Sequence, residues 1–272
     1  MKIEQHLAVA EALQSIDKAS DWISRQEECR KKFNLSEGDV LGGTCLYRDA
    51  GRKTVLLLGD SHASVSFDSI AEFNARFGTS TWMLHSIHSM LSLDQQKSRL
   101  EDLLKLIEPK SHMVSKVFII ERGVVRVEGK DTFDGEDGCF PLGEEGFYQR
   151  MQHFVDRLRE MGKEVFIVAE NPVLRTDIKD MIQIQPLRPA KAPKPESRAD
   201  VLKHQEKYLN ALKRVKGATI IHTLDAFCPQ TQESCLLFDE NDLPLYADDD
   251  HLSRWAGGRF LTERVLAPYL KP

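Results

Sequence analysis

The chain has 272 residues, enough for one large domain or two small ones. Apolar residues make up 41% and charged residues 29%, which excludes a disordered or fibrous chain. Thirty-seven basic against 42 acidic residues leave a net charge of −5, which argues against a nucleic-acid partner. The longest apolar run near the front is Val55–Leu58, far short of the ~18 residues a membrane span needs. The opening MKIEQHLAVAEALQ lacks the apolar core and cleavage site of an export signal. The chain as it stands is therefore expected to be neither self-anchored nor self-exported.

In chain order, residues 2–33 carry apolar positions at helical spacing. A Gly-rich stretch follows over 36–51. Thr54–Leu58 is a short buried strand ending at Gly59, and Ala63–Phe77 is a helix. Ser80–Leu84 is a strand. Asp94–Ile107 is a helix with Leu100, Leu103, Leu104 and Ile107 on one face. Ser115–Ile120 is a strand, and 122–143 reads as a Gly- and Asp-rich loop. Glu144–Met161 is a helix with Gly162 as its cap, and Glu164–Ala169 is another buried strand. Four prolines in 186–197 exclude a regular helix or central strand there. Arg198–Val215 returns to helix, Ala218–His222 is a strand and Ser253–Leu270 the last helix.

Strand and helix alternate five times. VLLL, VFII and VFIVA show no polar alternation, so these strands are buried on both faces, as in a parallel sheet covered by helices. The expected architecture is a three-layer α/β/α domain with about five parallel strands over 51–272, preceded by a helical extension over 1–50. In such a sheet ligands bind at the carboxyl ends of the strands.

Two clusters fall at such places. LLLGDSHAS puts Gly59, Asp60, Ser61 and His62 at the end of the first strand. Ser61 then sits near a helix N-terminus, where backbone amides stabilise a negative oxygen. The alternative is an ordinary serine cap. At the far end, YADDDHLSRW places Asp248, Asp249, Asp250 and His251 in a loop before the last helix. A carboxylate three residues before a histidine reaches its Nδ1 side and leaves Nε2 free to take a serine proton. The alternative is an acidic helix cap. A metal is not implied, because one loop supplies too few ligands. His62, His85 and His88 read as structural, Trp255 as core rather than a sugar platform, and Asn171-Pro172 as a turn that could line the cleft.

The cysteines are five. Cys29 and Cys45 are sixteen apart; Cys228 and Cys235 are seven apart. On spacing alone, disulfides and free thiols stand level, and no zinc spacing appears.

GDSH after the first strand, together with DxxHLS before the last helix, resembles the SGNH (GDSL-like) hydrolases from about Cys29 onward. The match is closer still to the SGNH domains fused to acyltransferase-3 membrane proteins, which O-acylate bacterial surface polysaccharides. The resemblance implies a flavodoxin-like SGNH fold, with Ser61 as nucleophile, His251 as base and Asp248 as its orienting acid. It implies no cofactor, a carbohydrate acceptor, and an acyl donor or acylated partner. It also implies a membrane acyltransferase-3 domain in the full-length protein and a periplasmic or extracytoplasmic location. It pairs Cys29 with Cys45 and Cys228 with Cys235, leaving Cys139 unpaired. The wider family's glycine and asparagine oxyanion blocks are absent: the second strand runs into LHSIHSML and the third into IIERGVV. Arg122, Gly59 and Asn171 are the remaining oxyanion or substrate candidates. The expected activity is serine-dependent acetyl transfer to a polysaccharide hydroxyl. A carbohydrate acetyl-esterase and a non-catalytic glycan-binding or partner-docking module are the alternatives.

Overall fold

A computed structural model of the chain describes residues 19–36, 44–85, 97–129, 141–187 and 194–271. Its centre is a six-stranded sheet in the order β1-β3-β2-β4-β5-β6. The strands are β1 (Thr44–Arg48), β2 (Lys53–Gly59), β3 (Thr79–His85), β4 (Val114–Ile120), β5 (Glu164–Val168) and β6 (Thr219–Ile221). The last five are parallel, in the doubly wound order 2-1-3-4-5.

The sixth strand is a departure from expectation. β1 arises from the Gly-rich stretch and pairs antiparallel with β3, Cys45 opposite Leu84 and Tyr47 opposite Trp82. Five residues at a sheet edge carry too short a pattern to separate from a loop. The preceding helix, α1 (Ala19–Phe33), lies against this edge. Its Cys29 is disulfide-bonded to Cys45, and its Phe33 ring stacks on Trp82 at 4.0 Å. Of the helix expected over 2–33, residues 2–18 lie outside the described residues.

Alternate residues of β2 feed two cores. Leu56 and Leu58 point to one face, with Trp82, Ile119, Phe147 and Phe154. Val55 and Leu57 point to the other, with Phe67, Ile70, Met83 and Phe118. This is the period-two geometry of a strand covered on both sides. The first core is closed by α3 (Lys97–Ile107), α5 (Gly143–Glu160) and α8 (Glu206–Arg214). The second is closed by α2 (Ser61–Ala75) and the C-terminal helical segments.

Other elements differ in extent. Helix α2 starts at Ser61, two residues earlier than expected, because Asp60 caps it: its Oδ1 accepts the His62 N–H at 3.0 Å. The expected loop after β4 contains α4 (Gly123–Glu128), and α6 (Ile178–Leu187) reaches into the proline stretch. The single helix expected over 198–215 is two, α7 (Arg198–His204) and α8, broken at Gln205. Gln205 turns inward, its amide donating to the Glu170 and Asn171 carbonyls. The last helix begins at Ala256 as α10 (Ala256–Phe260). It passes through a π-helical turn (Leu261–Leu266) and ends as α11 (Ala267–Leu270). Between β6 and α10 lies a short α9 (Leu224–Phe227), whose following loop is closed by the Cys228–Cys235 disulfide. Gly162, with φ +75°, ends α5 as expected. Among the described residues, no helix is long and apolar enough to cross a membrane.

Candidate active site

The site lies where β2, β4 and β5 end. Gly59 is required there by contact, since a Cβ on it would come within 1.8 Å of the Ile120 carbonyl oxygen. β2 and β4 can therefore run side by side to their last residues, and the chain then turns through Asp60 into α2. Ser61 occupies the first position of that helix.

Ser61 Oγ is 2.7 Å from His251 Nε2. On the other side of the ring, His251 Nδ1 is 3.0 Å from Asp248 Oδ2 and 3.2 Å from its Oδ1. Asp248 also holds the loop itself, accepting the backbone N–H groups of Asp250 and His251 at 3.0 and 2.7 Å. The three residues that sequence reasoning singled out thus stand in one hydrogen-bonded line.

Asp250 joins them. Its Oδ1 lies 2.8 Å from the same His251 Nδ1. Its Oδ2 lies 3.2 Å from His62 Nε2 and 2.9 Å from Arg122 Nη1. The Asp248 side chain is 32% exposed and that of Asp250 only 7%. The imidazole is therefore gripped by one carboxylate near solvent and one buried. Burial alone would lower the His251 pKa. Hydrogen bonds to Asp248 and Asp250, reinforced by their charges, outweigh it and push His251 up to about 10. Burial likewise works against ionised Asp250, but His251, His62 and Arg122 hold its carboxyl well below the usual range.

Arg122 is tied into this frame. Its guanidinium faces Asp250 and, at 3.9 Å, the buried Glu170, and its backbone N–H donates to Asp60 Oδ2 at 2.9 Å. Asp60 also faces the Arg126 guanidinium at 3.7 Å. Glu170 accepts the Val124 N–H at 2.8 Å; burial pushes its carboxyl up despite the nearby Arg122 and His62. Asn171 is buried. Its Nδ2 donates to the Asp250 and Pro172 carbonyls, and its Oδ1 lies 3.3 Å from His62 Nδ1. It braces the histidine loop, which the Leu174 N–H to Asp249 carbonyl bond also ties down.

His62 is buried and doubly engaged, in keeping with its structural reading. The His85 side chain and His88 lie outside the described residues, as does Cys139. Sequence reasoning weighed the acidic triplet but assigned only Asp248. It passed over Asp250, Asp60, Glu170 and Arg126. Asp60 was visible within GDSH, and Glu170 stands directly before Asn171 at a strand end. Trp255, expected in the core, is 56% exposed. It lies before the first turn of α10, where the chain faces outward.

The site's ligating groups are close enough to share an ion in two sets: Asp248, Asp249 and Asp250, or His62, Asp250 and His251. Asp250 is common to both, and its Oδ2 faces the Arg122 guanidinium.

A doubly wound sheet, a serine at the first helix N-terminus and a histidine–carboxylate loop before the last helix define an SGNH-type architecture. The chain belongs to the family of SGNH domains fused to AT3 domains, whose model matches residues 28–266. No curated protein is significantly similar to it. Among solved structures, the periplasmic domain of a lipopolysaccharide acetyltransferase from Salmonella ser. Paratyphi A is similar, with a TM-score of 0.58 at 15% identity. The match covers 81% of this chain and 84% of that one. Protein YxiM from Bacillus subtilis matches with a TM-score of 0.50 at 14% identity, over 81% of this chain and 57% of that one. An acetyl xylan esterase, AlAXEase, matches with a TM-score of 0.46 at 14% identity, over 78% and 96%.

Proposed function

We propose that the chain catalyses acyl transfer, in the first instance of acetyl groups, to hydroxyls of a bacterial surface polysaccharide through an acyl-serine intermediate. The observation that carries this reading is the 2.7 Å contact between Ser61 Oγ and His251 Nε2 at the start of α2. Neutral His251 takes the Ser61 proton as Oγ attacks the acyl carbonyl. The Ser61 N–H, at the helix start, faces the developing oxyanion. Collapse breaks the bond to the donor's leaving oxygen, which receives the proton from Nε2. An acceptor hydroxyl then attacks the acyl-serine and gives its proton to Nε2. The second collapse frees Ser61, and His251 returns the proton to Oγ. Asp248 and Asp250 hold the ring and stabilise the imidazolium that forms twice. Arg122 acts through Asp250, keeping the buried carboxylate charged and aimed.

The same intermediate supports an esterase reading. The His251 side chain is 27% exposed, so water reaches the acyl-serine when no acceptor fills the site. The hydrogen-bonded serine and histidine weigh against a module that only binds. The location and partner follow the family: a periplasmic domain of a membrane protein, acylated from an AT3 domain. The test is to supply a labelled acetyl ester together with a de-O-acetylated surface polysaccharide and follow the label by mass spectrometry. Label on the polysaccharide, absent with Ser61→Ala, supports transfer. Release to water alone supports the esterase, and no turnover by the folded protein overturns both.

A further inference from the structure

Outside the triad, a cleft of about 320 Å³ opens between α2, the α10 segment and the turn 239–243. Its position is set by helix geometry. Residues 61, 68, 72 and 76 follow one another at intervals of seven, four and four, so they form one stripe of α2. Ser61 heads that stripe, and Asp68, Glu72 and Arg76 line the cleft. At 1.5 Å per residue, Asp68 stands roughly 10 Å from Ser61 along the helix. On the other strand of the site, Trp255 follows His251 by four residues and also lines the cleft. Arg254 and Arg25 both pair with Asp68 between the two, fixing the cleft's near end. The cleft therefore lies on the same face of α2 as Ser61, further along the helix, with the Arg25–Asp68–Arg254 pairs at its near end.

Its chemistry is specific. Trp255 is more than half exposed and lines this concave surface, where a large aromatic side chain offers apolar area. The charged residues around it are largely matched: Arg76 lies 3.6 Å from Glu72 and 3.9 Å from Glu263, Arg259 is 3.2 Å from Glu263, and Arg264 is 2.7 Å from Glu240. Such pairs cancel most of the local field while leaving donors and acceptors around the opening. Asp239 is occupied within its own turn, accepting the Asn241 and Leu243 N–H groups at 2.9 Å, so that wall is fixed in advance. An aromatic plate with charge-balanced hydrogen-bonding groups suits an uncharged polyhydroxyl ring better than an ion or an apolar chain.

We propose that this cleft is a subsite for a neutral carbohydrate chain. One sugar ring lies on Trp255, its hydroxyls bond the paired side chains of α2 and the C-terminal helix, and a neighbouring residue of the same chain reaches Ser61. The proposal rests on the acyl-transfer reading for what happens at Ser61, but not for binding.

The test uses Ser61→Ala, which cannot turn over, on a printed array of bacterial surface polysaccharides, with Trp255→Ala, Trp255→Phe and Arg76→Ala added singly. The expected result is binding by Ser61→Ala that weakens about tenfold or more with Trp255→Ala. Trp255→Phe keeps most of it, and Arg76→Ala weakens it from the opposite wall. Each added substitution should leave the thermal unfolding midpoint close to that of Ser61→Ala, which reports a sound fold. Absence of binding to every polysaccharide, or equal binding with and without Trp255, overturns the cleft. Trp255-dependent binding by a protein that hydrolyses no ester would leave the cleft standing and remove the acyl-transfer reading.

Discussion

The middle and the end of the central strands are built from opposite materials. Through Val55–Leu58 and Val117–Ile120 every side chain is buried and apolar, and the side chains contribute by burial alone, above the backbone pairing of the sheet. One or two residues further on, β2, β4 and β5 deliver Asp60, Glu121 with Arg122, and Glu170, all ionisable side chains largely out of water. The first region tolerates no polarity. In the second, Arg122 faces Asp250 and Glu170, and Arg126 faces Asp60, so the guanidinium groups offset the cost of burying these carboxyls. The apolar strands provide a rigid, dry floor; the charges provide an aimed field above it. An imidazole with carboxylates behind it works as a catalytic base only where both conditions hold.

Substitutions can separate the two regions. Ser61→Ala should remove acyl transfer and hydrolysis by roughly a thousandfold or more without lowering the melting temperature, read by steady-state rates and thermal unfolding. Arg122→Ala should cost about 3–5 kcal/mol of stability, because it strips the buried Asp250 and Glu170 of the guanidinium they share. That loss should ease on acidification, as the carboxylates protonate, in denaturant titrations at several pH values. Leu57→Ala in the apolar stretch should cost about 2–5 kcal/mol, with no such pH dependence. If the two losses vary alike with pH, the contrast between floor and field fails.

The smallest effect of a substitution should be a shift of the pH profile. His251 is held at about 10, so below that pH the base form is a minor species. The logarithm of kcat/KM should climb with unit slope through the neutral range and keep rising above pH 8. Asp250→Asn should move the rise to lower pH by roughly one unit or more, since one of two carboxylates at Nδ1 is gone. The same raised pKa stabilises the fold. Its contribution is complete below the unfolded histidine value of about 6.5 and is lost as pH rises towards 10. Asp60 has the opposite sign. Burial opposes its charge, but His62, Arg122 and Arg126 hold its pKa low, so its contribution is lost as pH falls.

The sequence made the floor and the line from Ser61 to Asp248 readable for one reason: each lies in a contiguous run. VLLL and VFII announce buried strands, GDSH carries its own cap and turn, and DxxH fixes its own spacing. What stayed hidden is assembled across the chain. Asp250 gains its meaning from Arg122, 128 positions earlier, and from His62. The edge strand β1 depends on β3 for its pairing and on a disulfide to Cys29. Helix α4, six residues long, was masked by the Gly- and Asp-rich sequence around it. An aromatic on an amphipathic segment usually packs inward, yet Trp255 is 56% exposed.

The central claim is that Ser61 is a nucleophile activated by His251. Its most direct test is the intact mass of the protein after treatment with a serine-reactive fluorophosphonate, for wild type, Ser61→Ala and His251→Ala. The account predicts one adduct on wild type, mapped to Ser61, none on Ser61→Ala and a much slower reaction with His251→Ala. A folded wild-type protein that takes up no adduct, or takes it up at another residue, would contradict it.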